Sequence, residues 1–266
     1  MILIGFVMGL FGGLLGIGGS IVMIPALVLF FGIGQGQKQH LYQASAMICN
    51  FFVASSAVLA HKKTKVLMPQ IIKLLIPLAV AGVILGVLFS NLSFFAGTRS
   101  YILTRIFGGF MLYVAGYNCL KFFDKREDDT GLDTSNIRQS VSLTTLVGLA
   151  SGFAAGLLGI GGGSVCVPLQ QVTLKMPIKR AIANSAATII LIAAIGATLK
   201  NATLAQHGLA ITDSIKIAIM VIPTAILGGF IGARLMHIMP KNIVRIAFIL
   251  LMLAASYRLL TVAPTG

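Results

Sequence analysis

The chain carries the heptapeptide GLLGIGG twice, at residues 13–19 and again at residues 156–162. Each copy interrupts a long apolar run with glycine. Backbone freed from the helical ladder cannot face lipid, because each unpaired amide or carbonyl there costs several kcal/mol, so it must line a protein-enclosed cavity. Glycine-broken segments at matching places in two halves indicate the binding site of a transporter. Three more pairs share the offset of 143 positions: Gly5 and Gly148, Gly9 and Gly152, Pro25 and Pro168.

The composition is that of an integral membrane protein. Of the 266 residues, 57% are apolar and 10% are charged, whereas soluble domains carry about 25% charged residues. Several runs of roughly 20 apolar residues have the length that a helix needs to cross the bilayer. The net charge of +14 comes from basic residues in short loops, where they set topology, so we expect the lipid bilayer and not nucleic acid as a partner. No basic residue precedes the first apolar run, so no cleaved signal peptide is expected.

Eight hydrophobic segments fall into two halves. A polar linker, residues 124–140, contains five of the six acidic residues and separates a first transmembrane repeat, 1–123, from a second, 141–266. The sequence therefore predicts an all-α membrane protein made of two four-segment repeats. The segments are 2–33, 41–60, 68–90, 101–123, 141–174, 181–199, 212–236 and 243–262.

The duplication extends beyond the glycines. It includes matching Pro-to-Gly stretches at 77–86 and 223–232, and the pair Ser45-Ala46 with Ser185-Ala186. Four side chains of the fourth segment also recur 140 positions later: Arg105, Ala115, Tyr117 and Leu120 match Arg245, Ala255, Tyr257 and Leu260.

Segments 2–33 and 141–174 either span the membrane or form re-entrant hairpins. As one helix, 2–33 would be about 48 Å long at ~1.5 Å per residue, whereas each piece beside the glycines is about 20 Å long. If all eight segments span, the 20 Lys and Arg residues divide 11 to 9 between the two sides. If these two are hairpins, each repeat has three spanning helices, the repeats are inverted, and 14 of the 20 lie on one side. This bias favours the inverted arrangement, with the linker in the cytoplasm and Lys200 among the six loop cations outside.

The glycine motif is not a nucleotide site. Gly16-Ile17-Gly18 lacks the third glycine of a dinucleotide fingerprint, because Ile21 stands there, and no Walker lysine follows. New helices are instead predicted after each glycine run, with Ser20 and Ser164 as hydroxyl caps. A helix start presents unpaired N–H donors and partial positive charge. Two such starts facing each other near the midplane would form an anion site without a fixed charge.

The candidate substrate-binding residues combine the two loops with repeated polar positions on segments two and six. Gln43, Asn50 and Thr188 are further polar residues there, for which interhelical hydrogen bonding is the alternative role. Close helix packing is the alternative reading for glycines, and we prefer it for the Gly-x-x-x-Gly pairs at 5/9, 82/86, 148/152 and 228/232. The candidates are Gly18, Gly19, Ser20, Ser45, Gly161, Gly162, Gly163, Ser164, Asn184 and Ser185.

Catalytic and metal chemistry lack candidates in the sequence. No carboxylate lies deep in a segment, and the four histidines lie at segment ends, where solvated side chains are expected. The three cysteines are far apart, without metal-ligand spacing. We expect no metal, no cofactor and no catalytic residue; an intramembrane enzyme would need a base beside Ser20, Ser164 or Cys166.

At these residues the sequence resembles the TauE/SafE family of sulfite and organosulfonate transporters, also called toluene-sulfonate uptake permeases. The paired heptapeptides, the prolines that follow them, and the Gly-x-x-x-Gly-Ala-Arg ending at Arg234 carry the resemblance, which covers essentially the whole chain. In the first half, Val87-Leu88 replace that Ala-Arg. The resemblance implies a multi-pass permease of the bacterial inner membrane for small anions such as sulfite, sulfonates or sulfoacetate. Export by alternating access is the expected mechanism, and an anion channel is the alternative. A homo-oligomer is compatible with the sequence.

Overall fold

The computed structural model describes most of the chain. In the described residues the protein is all-helical, without a strand. These residues are 1–31, 38–62, 66–92, 100–123, 137–138, 140–236, 238, 246, 249–250, 252–254, 256–257 and 260–261.

Nine α-helices are bounded in the described residues, with a short 3-10 helix, Leu204–His207, before the last of them. Seven of the eight predicted segments correspond to these helices; the eighth, 243–262, and the linker lie largely outside the described residues. The helices are α1 Ile2–Leu15, α2 Ser20–Phe31, α3 Lys38–Lys62, α4 Pro69–Ser90, α5 Ser100–Phe123, α6 Val141–Leu158, α7 Gly163–Thr173, α8 Ile178–Ala202 and α9 Ile211–Leu235.

Both over-long segments break at the predicted glycines. Helix α1 ends at Gly16 with φ 61°, and α6 ends at Gly159 with φ 72°. This left-handed conformation is open to glycine and disfavoured for other L-residues. The repeated heptapeptide therefore ends one helix and starts the next in each half, as the sequence predicts.

Five helices among the described residues are long and apolar enough to cross a membrane: 38–60, 69–90, 141–158, 179–202 and 211–235. The protein is therefore a multi-pass membrane protein. Helices α1, α2 and α7 have 14, 12 and 11 residues, so each is at most about 21 Å long at ~1.5 Å per residue. None of these three alone could span about 30 Å of hydrocarbon.

The first helix of each half packs along a helix of the other half. Along α1, Gly5 lies against Val221, and Gly13 lies against Gly229. Residue numbers rise together, so α1 and α9 run parallel. Helices α4 and α6 do the same, and a Cβ on Gly82 would lie 2.5 Å from the Leu149 carbonyl oxygen. The packing interpretation of the Gly-x-x-x-Gly pairs is confirmed.

Helices α3 and α8, which correspond to each other in the repeat, pack antiparallel. Lys200 Nζ donates to Gln43 Oε1 at 2.7 Å, and Met47 Sδ would lie 2.5 Å from a Cβ on Gly196. Residue numbers rise along α3 as they fall along α8. Ser45 Oγ lies 3.4 Å from Ser214 Oγ, so α9 begins beside the first half of α3.

The chain reverses direction at each glycine loop. A Cβ on Gly19 would lie 2.8 Å from the carbonyl oxygen of Met8, which is two turns before the end of α1. In the second half, a Cβ on Gly162 would lie 2.6 Å from the carbonyl oxygen of Ser151. The start of α2 thus lies beside the middle of α1, and the start of α7 beside the middle of α6.

Candidate functional site

The two glycine loops contact each other in the interior. A Cβ on Gly163 would lie 2.5 Å from the Gly16 carbonyl oxygen and 2.5 Å from Ile17 Cα. From the other side, a Cβ on Gly18 would lie 3.2 Å from the Ile160 carbonyl oxygen. Because these positions lack side chains, the backbones of the two halves approach closely. The structure thus brings together the loop residues that the sequence predicts to face each other.

Asn50 lies between the loops, at the midpoint of α3, and is fully buried. Its Oδ1 accepts a hydrogen bond from the Ser20 amide at 3.0 Å, and its Nδ2 donates to Ser20 Oγ. The same Nδ2 would lie 2.5 Å from a Cβ on Gly161. One amide side chain therefore contacts both glycine loops.

The predicted hydroxyl caps are wrong. Gly19 caps α2 through its carbonyl oxygen, which accepts from Val22 and Met23, while Ser20 Oγ donates to Ala46 O at 3.4 Å. The partner of the first α2 amide is the Asn50 side chain. Hydroxyl capping fails because Ser20 is the first residue and Ser164 the second residue inside their helices, so neither serine stands at the N-cap position before the first turn.

The start of α7 differs from that of α2. Its N-cap is Gly162, with φ 78° and no side-chain cap. Ser164 is 1% exposed, and its hydroxyl has no hydrogen-bond partner in the described structure. The position that matches Asn50 in the second repeat is Ile190, which cannot hydrogen-bond. The α7 start therefore keeps one buried hydroxyl without a partner, whereas the hydroxyl at the α2 start is hydrogen-bonded.

The three predicted polar residues on α3 and α8 divide between the loops and other partners. Ser185 reaches a loop, since its Oγ donates to the Gly16 carbonyl oxygen at 2.9 Å. Ser45 donates to Leu41 O at 2.8 Å. Asn184 accepts from the Met68 amide at 2.9 Å. The structure brings Ser185 to the loops and places Ser45 and Asn184 against other helices and loops.

Lys200 is not a loop cation, contrary to the prediction. Helix α8 continues to Ala202, and Lys200 in its last turn is 1% exposed. Its Nζ donates to Gln43 Oε1 at 2.7 Å and to Ser90 Oγ at 2.8 Å. Sequence reasoning missed this residue because it follows the last apolar residue of its segment; the polar Gln43 on α3 was the available signal.

His40 is also buried, whereas the sequence predicts a solvated side chain. It is 2% exposed and stacks on His207, with ring centroids 3.8 Å apart. Burial and, secondarily, the positive charge of Lys200 lower the pKa of His207 below its ordinary value. His207 is therefore neutral at physiological pH, so it adds no positive charge beside Lys200.

The cysteines and acidic residues form no cluster in the part of the chain that the structure describes. No group of three or more His, Cys, Asp or Glu that could hold a metal occurs there. Cys166 is buried and accepts a hydrogen bond from Gln170 Nε2 at 3.0 Å. Asp213 is exposed, and its carboxylate lies 3.8 Å from Lys216 Nζ.

Comparison with known proteins places these features in one family. The family described as sulfite exporter TauE/SafE matches residues 1–259. The probable membrane transporter protein MamO of Paramagnetospirillum magneticum is 25% identical over 98% of this chain and 44% of its own length. YunE of Bacillus subtilis, also a probable membrane transporter protein, is 26% identical over 95% of this chain and 94% of its own. A third probable membrane transporter protein, from Methanocaldococcus jannaschii, is 29% identical over 71% and 67%.

The chain spans less than half the length of the two MamO proteins that it matches. No solved structure matches this chain.

Proposed function

We propose that this chain, a membrane transporter that belongs to the TauE/SafE family, moves small sulfur-containing oxyanions or organic anions across the bacterial inner membrane. Sulfite, sulfonates and sulfoacetate are the proposed class. The anion binds between the two glycine loops, near the middle of α3, and alternating access carries it outward. The transporter needs no metal, cofactor or covalent chemistry for this cycle.

The observation that carries the proposal is the buried, unpartnered Ser164 hydroxyl at the start of α7. A buried polar group without a partner is costly, and a helix start offers further amide donors and partial positive charge. An oxyanion accepts from both kinds of donor. The Asn50 amide, which reaches both loops, and the Ser185 hydroxyl lie at the edge of the same site.

The proposed site consists of uncharged donors, which suits transport. Hydrogen bonds to a charged group contribute about 1.5–3 kcal/mol each, so a few of them bind an anion while leaving it able to dissociate. The membrane potential, worth ~2.3 kcal/mol per charge per 100 mV, favours movement of an anion out of the cell. Export therefore requires no coupling ion.

We further propose that the two repeats are inverted, with α1–α2 and α6–α7 as re-entrant hairpins. The antiparallel contact between α3 and α8 supports this, because corresponding helices would run parallel if all eight segments spanned the membrane. The reversal of the chain at Gly19 and Gly162 supports it as well. By length alone α6 could span, with 18 residues, but α7 with 11 could not complete a return crossing.

Cysteine labelling tests this topology. In a background without native cysteines, Lys38→Cys and Gln206→Cys should react with a membrane-impermeant maleimide from outside intact cells, and Lys175→Cys should react after lysis. Lys38 begins α3, Lys175 precedes α8, and Gln206 follows it. Lys38 and Lys175 on one face would exclude the inversion, and Lys175 and Gln206 on one face would exclude a spanning α8.

Flux into proteoliposomes tests the substrate class. We expect wild-type protein to transport methanesulfonate and sulfite with saturable kinetics. Ser164→Ala should raise the apparent KM about 10- to 100-fold, because it removes one hydrogen bond to a charged ligand, worth about 1.5–3 kcal/mol. Thr198→Ala is the matched control, since that exposed hydroxyl bonds only its own helix, at Ala194 O.

Three results would contradict the proposal in different ways. Absence of flux for every sulfur oxyanion would remove the substrate class. Flux that rises linearly with concentration would identify an anion channel of the same architecture. A Ser164→Ala variant with the wild-type KM would place the binding site elsewhere.

A further inference from the structure

Lys200 is a buried lysine whose surroundings provide no acidic partner among the described residues. It is 1% exposed, and its two hydrogen-bond acceptors, Gln43 and Ser90, are neutral. Among the described residues the only acidic one is Asp213, whose ion pair is with Lys216. Burial of a charge is costly unless an opposite charge accompanies it.

The same place holds buried amide donors that are not used. Gln43 Oε1 accepts a hydrogen bond from Lys200. The Nε2 of the same side chain is buried without a partner in the described structure. Gln39 lies one turn earlier on α3, on the same face at i and i+4; it is fully buried, and both atoms of its amide are unpartnered. We call Gln39, Gln43, Ser90 and Lys200 the Lys200 cluster.

The cluster is continuous with the glycine loops. A Cβ on Gly159 would lie 2.6 Å from Gln43 Cβ, so the side chain that accepts from Lys200 packs directly on the second loop. In the opposite direction, the cluster reaches the ends of α4 and α8, where the neutral His207 donates from Nε2 to Asn91 Oδ1 at 2.9 Å. The cluster thus lies between the loops and one membrane face.

We propose that the Lys200 cluster is a second anion-binding site, which holds the transported oxyanion between the outer membrane face and the glycine loops. The proposal rests on the proposed function for the identity of the anion. Lys200 supplies the charge, and the Nε2 groups of Gln43 and Gln39 donate to the oxygens. A charged site at the end of the path and an uncharged one at its middle give the anion two binding positions.

Three purified variants of the full chain test the proposal, with methanesulfonate as the probe because its charge does not change over the accessible pH range. Lys200→Met removes the amine and keeps an unbranched side chain that is one atom shorter. Gln43→Glu keeps an acceptor for Lys200 and supplies a built-in carboxylate in place of the anion. Lys216→Met is the matched control, because that lysine is 73% exposed and paired with Asp213.

We expect Lys200→Met to weaken methanesulfonate binding about 10- to 100-fold by calorimetry, as loss of one charged hydrogen bond implies. Gln43→Glu should weaken it at least as much, because its carboxylate repels the anion and pairs with Lys200. Lys216→Met should stay within about twofold, since exposed pairs contribute little. Without anion, Gln43→Glu should melt at a higher temperature than wild type, and anions should no longer raise its melting temperature. A purely structural lysine would show the higher melting temperature with unchanged affinity, which would overturn the proposal.

The outcomes separate this proposal from the proposed function. If wild type binds methanesulfonate and both variants bind it equally well, the Lys200 cluster is not an anion site and the loop site stands. If wild type binds nitrate or chloride but no sulfur oxyanion, and the variants lose that binding, the cluster stands and the substrate class falls. If wild type binds none of these anions, both fall. Should Lys200→Met fail to fold, Gln43→Glu decides alone.

Discussion

Gly18→Val and Gly161→Val should each reduce transport below detection. Both glycines have left-handed backbone, with φ 77° and 73°, a conformation that β-branched residues essentially do not adopt. The strain costs on the order of 1–3 kcal/mol. A Cβ on Gly18 would also lie 3.2 Å from Asn50 Oδ1 and from Ile160 O, and one on Gly161 would lie 2.5 Å from Asn50 Nδ2. Either branched side chain would occupy the space between the loops.

Strain and occlusion must be separated, and Gly208 allows this. It has φ 69°, lies between the 3-10 helix and α9, and has no atom within 4 Å of an added Cβ. Gly208→Val therefore carries the same backbone strain without crowding, and we expect it to keep transport with a modest loss of stability. Gly82→Ala should lower the folded yield with little effect on affinity, because Gly82 packs on the Leu149 backbone.

The measurement is anion binding and flux with folded, purified protein. If both loop valine variants elute as folded protein and bind methanesulfonate as tightly as wild type, the glycine loops are packing elements. If Gly208→Val loses transport as completely as the loop variants, strain rather than occlusion explains the result.

The helix breaks could be predicted because glycine chemistry is local. Left-handed backbone at Gly16 and Gly159 is open to few residue types, so the repeated glycines fixed where the helices end. The Gly-x-x-x-Gly pairs likewise predicted close contacts. They could not predict the partners, since a stripe of small residues defines a face and not what covers it; Gly9 meets Ala225, and Gly152 meets Ala79.

Asn50 and Lys200 show why the sites were only partly predictable. Repetition favoured Ser45, which Ser185 matches, over Asn50, which Ile190 matches. The Asn50 amide alone contacts both loops, so the second half needs no matching polar residue. A search for polar residues repeated in both halves therefore overlooks the residue that joins them. Lys200 was assigned to a loop because the apolar run ends at Leu199, yet α8 continues to Ala202. Three residues of helix decide whether that charge is solvated or buried.

Asn50→Asp should weaken anion binding on the order of 10³-fold at neutral pH. The substitution keeps the size of the side chain and keeps an acceptor for the Ser20 amide, which now bonds Asn50 Oδ1 at 3.0 Å. It adds a negative charge beside both loops. Two like charges about 4 Å apart repel by about 4 kcal/mol at an effective dielectric constant of about 20, which corresponds to roughly three powers of ten in affinity.

Asn50→Leu is the matched comparison, because it has a similar volume and no charge. It leaves the Ser20 amide and hydroxyl without their Asn50 partners, which should cost about 1–3 kcal/mol in stability. Its anion affinity should nevertheless exceed that of Asn50→Asp, because it introduces no repulsion. If an anion occupies the loops, Asn50→Leu should therefore bind it more tightly than Asn50→Asp does, even though Asn50→Leu loses stability in a thermal melt.

The pH dependence of anion binding tests the same repulsion independently. A carboxylate is protonated and becomes neutral as the pH falls, so methanesulfonate binding to Asn50→Asp should recover at acidic pH. Methanesulfonate itself stays charged, and neither wild type nor Asn50→Leu should show this recovery. Titrations at pH 5 and pH 8 measure it. If Asn50→Asp binds the anion within twofold of wild type at pH 8, no anion lies beside Asn50, and the loops are not the binding site.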